Sequence, residues 1–264
     1  MIDLSIDTRG VATLTLARPD KHNALSQALI DALRGATDNI AQHKEVRVVV
    51  LAAQGTSFCA GGDLGWMRAQ MEGDADARRK AAAALADMLG ALNTLPQPVI
   101  GRIHGNAFGG GVGMACVCDV AIAADHAKFG LTETKLGLIP ATIGPYVLAR
   151  MGEAHARRVF MSGRVFDAAE AVRLGVVAKA VPTAALDAAI EAEVAPYLAC
   201  APGAVAAAKA FARSLGPVID RETVDRSIDA LITQWNSAEA AEGISAFFEK
   251  RASAWNVTSS DDKQ

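Results

Sequence analysis

Residues 1–6 and 11–16 alternate apolar and polar side chains around Thr8-Arg9-Gly10. A period of two broken by a glycine turn predicts a β-hairpin. A loop with turn chemistry, Arg18-Pro19-Asp20-Lys21-His22-Asn23, follows. Asn23 or Ser26 then caps a helix to about residue 42, with Leu25, Leu29, Ile30 and Leu33 on one face. Residues 46–52 form a continuous β-branched run, the pattern of a strand covered on both faces. Residues 70–95 are Ala-rich and helical, and Pro96 and Pro98 close that helix. Two more β-leaning runs, 99–103 and 117–124, bracket a glycine turn and a short Ala/Val/Met/Cys helix. This strand–helix alternation predicts a largely parallel α/β sheet.

Helical patterns take over in the second half. Residues 141–152 open with turn residues and continue as a helix, and residues 154–162 read as another. Residues 163–181 read as a helix capped by Asp167 and closed by Gly175, then a short strand. From residue 182 the chain is helix after helix: 184–198, 201–215, 222–235 and 238–250, with breaks at Gly216-Pro217 and Asn236. That shift in pattern places a boundary between a mixed core, 1–181, and a helical part, 182–264. Residues 257–264 are polar and expected to fray.

Composition adds mostly exclusions. The chain has 264 residues, 51% hydrophobic and 21% charged, with a net charge of -3. Such a chain can bury a large core. It carries no basic footprint for nucleic acid or anionic membrane. No signal peptide and no long uncharged apolar run is evident, so a cytoplasmic protein with no membrane span is expected. Cys59, Cys116, Cys118 and Cys200 sit in apolar surroundings, with no CxxC pair and no His cluster. Buried free thiols in a reducing compartment, and no metal site, are the reading.

The chemistry gathers in residues 98–140. His104-Gly105 and the triplet Gly109-Gly110-Gly111 separate the two strand runs. Glycines let backbone N–H groups approach a ligand, and a turn feeding a helix presents unpaired donors and a positive dipole end. A permanent or developing anion suits that place; a tight turn with close helix packing accounts for the glycines equally well. A Walker loop is excluded, because Met114-Ala115 stands where Lys-Ser/Thr belongs. A dinucleotide fingerprint belongs to the first βαβ unit, and this triplet lies mid-chain. Glu133 follows, among Phe129, Leu131 and Leu136. One carboxylate in apolar company beside a donor-rich loop is a candidate general acid/base of raised pKa, although a lone loop glutamate is more often a solvated charge.

Three segments, FCAGGDL, HGNAFGGGVG and FGLTETKLGLIP, resemble in order the signature segments of the enoyl-CoA hydratase/isomerase (crotonase) superfamily. The resemblance covers roughly residues 2–255. It implies a spiral of ββα units with a C-terminal helical part, assembled as trimers or dimers of trimers. It implies an acyl-CoA thioester as substrate, with coenzyme A part of that substrate and no separate cofactor. By motif match, the backbone N–H groups of Gly62 and Gly110 hold the thioester oxygen and stabilise an enolate. Many relatives carry alanine at Gly62. The same match implies that Ala60, Gly62, Asp63 and Leu64 line the coenzyme A path; Lys21 and Lys250 match positions near its phosphates or are solvated surface charges.

The departure from the family pattern lies at Gly113. Well-known hydratases carry a first glutamate there and a second at Glu133. A lone Glu133 leaves hydration by one carboxylate, or double-bond migration as in Δ3,Δ2-enoyl-CoA isomerases. The segments AFGGGVGMACVCDVAIAA and ETKLGLIPATIGPYV resemble a bacterial branch of methylglutaconyl-CoA or isohexenylglutaconyl-CoA hydratases, which favours hydration. A distal carboxylate on such a substrate would want a cation, and Arg68 and Arg150 are the candidates. Gly113 is expected to leave space for substrate or water. A non-catalytic or RNA-binding member is the remaining class, opposed by Glu133, both glycines and the absent basic patch.

Overall fold

The computed structural model describes residues 1–256; the segment 257–264 lies outside the described residues. The hairpin forms as the alternation requires, with β1 (Ile2–Ile6) antiparallel to β2 (Val11–Leu16). The chain then passes through α1 (Gln27–Gln42) into β3 (Val48–Ala53). From here a unit repeats. Each long strand is followed by a three-residue strand and then by helix. Thus β3 leads to β4 (Ser57–Cys59), α2 (Leu64–Glu72) and α3 (Ala75–Thr94). Likewise β5 (Val99–Ile103) leads to β6 (Asn106–Phe108) and α4 (Gly110–Val117). Next, β7 (Val120–Ala124) leads to β8 (Lys128–Gly130) and a 3-10 turn, Glu133–Leu136.

The consequence is two sheets. Long strands pair in one, in the order β1-β2-β3-β5-β7-β10, where β10 is Lys179–Val181. All its pairings after the hairpin are parallel. The short strands stack in the other, β4-β6-β8-β9, where β9 is Val165–Asp167. This is the ββα spiral that the motifs implied. Packed between its turns lies the main core, which includes Phe58, Phe129, Leu29, Leu51, Met88 and Leu89. On the outer face of the long-strand sheet sits α8 (Leu186–Leu198). Its Leu186, Ile190 and Val194 pack against Val48, Ile100 and Ile122. The helices α5 (Gly144–Met151), α6 (Glu153–Phe160), α7 (Ala168–Arg173), α9 (Pro202–Ser214), α10 (Arg221–Trp235) and α11 (Ala238–Glu249) complete the described chain.

Four local expectations change. The strand read at 117–124 begins only at Val120, because Cys116 and Val117 finish α4 and their apolar side chains are buried in helix. The single helix over 70–95 is two helices, since Asp74 accepts from the Ala77 N–H and starts a new one after Gly73. The three-residue strands carry too few residues for a period-two signal, so β4, β6, β8 and β9 were not foreseen. Cys200 is exposed, unlike Cys59, Cys116 and Cys118, because it follows α8 at the surface. No single helix among the described residues is long and apolar enough to cross a membrane.

Candidate active site

The short-strand sheet brings together the ends of three chain segments. Gly109 N–H donates to the Gly130 carbonyl at 2.9 Å, tying the β6–α4 turn to β8, which leads to Glu133. Gly109 has φ +49, a conformation that costs an L side chain and suits glycine. A Cβ there would lie 3.1 Å from Glu133 Oε1 and 3.8 Å from the Gly61 Cα. The Gly61 loop, the Gly109 turn and the Glu133 carboxyl therefore converge on one point.

Both expected donors have free N–H groups. Gly110 is the first residue of α4, where a helix leaves its N–H groups without internal partners. Gly62 forms a parallel bridge with Leu25. In it the Leu25 N–H donates to the Gly61 carbonyl at 2.8 Å and the Leu25 carbonyl accepts from Asp63 N–H at 3.0 Å. Both hydrogen bonds come from the neighbours of Gly62, so its own N–H points away from Leu25. Among the described residues neither glycine N–H donates to a protein acceptor. Leu25 also reaches the second donor, because a Cβ on Gly110 would overlap Leu25 Cδ1. It was expected on the apolar face of α1, but it precedes that helix, which Ser26 caps by accepting from Leu29 N–H.

The loop bearing Gly62 is held by charge. Asp63 caps α2, accepting from Gly65 N–H at 2.9 Å and Trp66 N–H at 3.3 Å. Arg18 Nη2 reaches its other oxygen at 3.1 Å. Burial pushes the Asp63 carboxyl up, but the donors from Trp66, Arg18 and Gly65 outweigh it and hold the group below its ordinary value. Arg18 also donates to the Ala24 carbonyl and the Ser26 hydroxyl. Asn23, fully buried, accepts from Arg18 N–H and donates to the carbonyls of Gln54 and Ser57. Asn23 thus fastens the loop and does not cap α1.

Glu133 sits at the start of its 3-10 turn with one carboxyl oxygen, Oε2, buried and unpartnered among the described residues. Burial pushes it up to about 7, against its own backbone N–H, and no charged neighbour contributes. A carboxyl near 7 is half ionised at neutral pH and can both take and give a proton. Cys59, which precedes the Gly61 loop, has its thiol pushed up to about 12 by burial and offers no thiolate.

Gly113 does not open space. A Cβ there would lie 2.8 Å from Ile143 Cγ2, 3.1 Å from Ile143 Cβ and 3.6 Å from Leu89 Cδ1. Both side chains are buried, so an apolar wall stands at the expected vacancy. Gly62 differs: a Cβ there meets Met67 Cγ at 3.4 Å, ordinary contact, so alanine fits.

The other expected residues divide. Ala60, on the loop, and Leu64, the first residue of α2, are exposed, and Ala60 N–H donates to the His22 carbonyl, which brings Lys21, the residue before His22, close to it. Lys250, the left-handed C-cap of α11, is exposed. Arg68 lies on α2 with its guanidinium 5.0 Å from the Phe248 ring centroid. Phe248 and Leu136, the latter three residues after Glu133, both pack against the cluster of Leu138, Ala240 and Ile244. Arg150 is not available to a ligand, since it donates to the Cys116 carbonyl at 3.0 Å and toward Asp119 at the C-terminal end of α4. That end is about 10 Å from Gly110 by helix rise. Ile143, Leu25 and Arg18 gave no signal as site residues, because an apolar or basic residue outside a motif looks like core or surface. Among the described residues no cluster of His, Cys, Asp and Glu is placed to hold a metal ion.

Comparison with known proteins gives the family of the chain. The family model "Enoyl-CoA hydratase/isomerase" matches residues 7–258. The mitochondrial methylglutaconyl-CoA hydratase of Mus musculus is 34% identical over 260 residues, covering 94% of this chain and 80% of the relative. The crystal structure of an enoyl-CoA hydratase from Mycobacterium avium superposes with a TM-score of 0.82 at 32% identity, covering 96% of this chain and 98% of that one. A second, from Mycobacterium smegmatis, gives 0.78 at 38% identity, covering 97% and 99%. Fold, matched residues and these relatives together make the chain a member of the enoyl-CoA hydratase/isomerase family, with the crotonase fold.

Proposed function

We propose that this chain adds water to a 2-enoyl-CoA thioester, with Glu133 as its one acid/base group. The Glu133 carboxylate takes a proton from water as the oxygen bonds to C3. The double-bond electrons move toward the thioester oxygen, where the Gly62 and Gly110 N–H groups bind the enolate. Protonated Glu133 then gives its proton to C2, and water has added to one face. A preorganised donor of this kind contributes about 3–4 kcal/mol in acyl-transfer enzymes. The observation that carries the reading is the Glu133 carboxyl, with Oε2 buried and unpartnered and Oε1 against Gly109, one residue before a free helix N-terminal donor.

Coenzyme A would run along residues 60–64, with Lys21 and Lys250 toward its phosphates. Arg68, stacked on Phe248 near the Glu133 turn, would read a carboxylate at the far end of the acyl chain, as a glutaconyl group has. Exposed Phe211, Leu215 and Val218, on and just after α9, supply apolar surface for a homotrimer or a dimer of trimers. The net charge of -3 disfavours a nucleic-acid-binding role.

A second reading, double-bond migration, is favoured by the Ile143–Leu89 wall. A site with one carboxylate and an apolar wall in place of the other suits a proton shuttle between two carbons. Mass spectrometry across crotonyl-CoA, trans-3-hexenoyl-CoA, 3-methylcrotonyl-CoA and 3-methylglutaconyl-CoA separates the two. Hydration adds one water to the mass; migration adds nothing. Glu133→Gln should keep thioester binding and lose at least ~100-fold in turnover. Turnover near the parent rate would remove Glu133 from the mechanism, and an isomeric product without added water would remove hydration.

A further inference from the structure

We propose that Gln234, on a C-terminal helix 97 residues away in sequence from the carbonyl it binds, is a positioning residue that holds the Glu133 turn in its working orientation. This rests on the acid/base role of Glu133 given above.

The Glu133 turn ends at Gly137, whose N–H closes the turn onto the carbonyls of Glu133 and Thr134. Leu138 N–H also donates to the Glu133 carbonyl at 3.0 Å. The turn is four residues long and its N-cap, Thr132, makes no side-chain cap bond. Such a short segment has little stability of its own and takes its orientation from what it packs against.

What it packs against is the α10–α11 corner. Gln234 Nε2 donates to the Gly137 carbonyl at 2.8 Å. The backbone of α11 lies directly on the turn, because a Cβ on Gly243 would come within 2.5 Å of the Leu136 carbonyl carbon and oxygen. A Cβ on Gly137 would in turn overlap the Glu239 backbone. Ile244 and Ala240 pack with Leu138 on the same side. Apolar contacts hold the corner against the turn but permit sliding. The Gln234 hydrogen bond is directional and fixes the turn about its own axis, which sets where the Glu133 carboxyl points. The charged side chains on these elements are Lys135 on the turn, Glu239, Glu242 and Glu249 on α11, and Arg221, Glu222, Asp225, Arg226 and Asp229 on α10; none of them shifts the Glu133 carboxyl.

The test is Gln234→Met, which keeps the length and loses the donor, beside Gln234→Ala and Glu133→Gln. Each full-length variant is assayed on whichever of crotonyl-CoA, trans-3-hexenoyl-CoA and 3-methylglutaconyl-CoA the parent turns over fastest, at several pH values and well below its melting temperature. For Gln234→Met we expect kcat to fall about three- to tenfold, the equivalent of one neutral hydrogen bond, with KM within about twofold. The pH midpoint of kcat should also move below the parent's, as a looser turn lets water reach the carboxyl. A variant that melts earlier but keeps the parent's kcat and pH midpoint would make Gln234 merely structural and overturn the proposal. If Glu133→Gln itself is near parent rate, the acid/base reading fails first. If Glu133→Gln is inactive while Gln234→Met matches the parent, only the positioning role fails.

Discussion

Adding one methyl group at Gly113 should change sign with the size of its neighbour. Alanine in the interior of a helix gains about 1 kcal/mol over glycine. At Gly113, within α4, that gain meets Ile143, whose Cγ2 would lie 2.8 Å from the new Cβ. Overpacking of this kind costs about 1–3 kcal/mol. The sum leaves Gly113→Ala neutral to about 2 kcal/mol destabilising. Truncating the neighbour, Ile143→Ala, removes the Cγ2 atom and costs about 2–5 kcal/mol through the cavity it leaves. In that background Gly113→Ala should become stabilising by up to about 1 kcal/mol, because the helix gain remains, the 2.8 Å contact with Cγ2 is gone, only the 3.1 Å approach to Cβ is left, and the methyl fills part of the void. The assay is a double-mutant cycle by thermal melting at one fixed protein concentration, where 1 kcal/mol corresponds to about 2–4 °C in a chain near this size. Equal effects of Gly113→Ala in both backgrounds would refute the wall. The functional corollary is direct. Gly113→Glu alone cannot place a second carboxylate beside Glu133 and should lose activity. Only with Ile143→Ala has the glutamate room, and only there should crotonyl-CoA hydration rise.

Four further outcomes are expected. The pH profile of turnover should inflect near pH 7, where Glu133 titrates; an inflection near its ordinary value of 4.5 would mean that the carboxyl is solvated. Because burial raises that pKa, its contribution to stability is fully present below about 4.5 and lost as pH rises through about 7. Glu133→Gln should therefore melt higher than the parent at pH 8, with a smaller gap at pH 5. Gly62→Ala should stay within a few-fold of parent activity, since its Cβ meets only Met67 and Trp66, whereas Gly109→Ala should be strongly impaired by its positive φ and by contact with Glu133. The reverse order in a kinetic assay would place the acid elsewhere. Asp63→Ala should lower stability by about 1 kcal/mol through the lost helix cap and also lower kcat by freeing the Gly62 loop; unchanged kcat would show that the Arg18–Asp63 pair does not govern that loop.

The two levels of this molecule were not equally legible. Long strands announced themselves because β-branched runs such as 48–53 are covered on both faces. The short-strand sheet did not, since three residues cannot show a period, and yet it is the sheet that carries Gly61, Gly109 and the approach to Glu133 together. Glu133 and the glycines stood out by residue type within recognisable segments. In the sequence Leu25 looks like one more apolar helix residue and Arg18 like part of a loop, because their roles come from contacts across the fold. Arg150 shows the converse. An arginine suggests an anion site, but this one spends its donors on the end of a helix. Ile143 shows why an absence in sequence is hard to read: a glycine where relatives carry glutamate can mean room or its opposite, and only the neighbour decides.

Leu25 touches both halves of the donor pair by different means. Its main chain grips the residues on either side of Gly62, and its side chain lies on Gly110. The gap between the two donors is therefore set by the reach of a single leucine side chain, as by a shim between two plates. The Gly62 loop and α4 cannot drift apart independently while that shim stays the same. Descendants of this chain that acquire a larger residue at 110 should carry a shorter one at 25. A library randomised at both positions and selected for turnover should return matched pairs, with combinations too thick or too thin for the gap depleted.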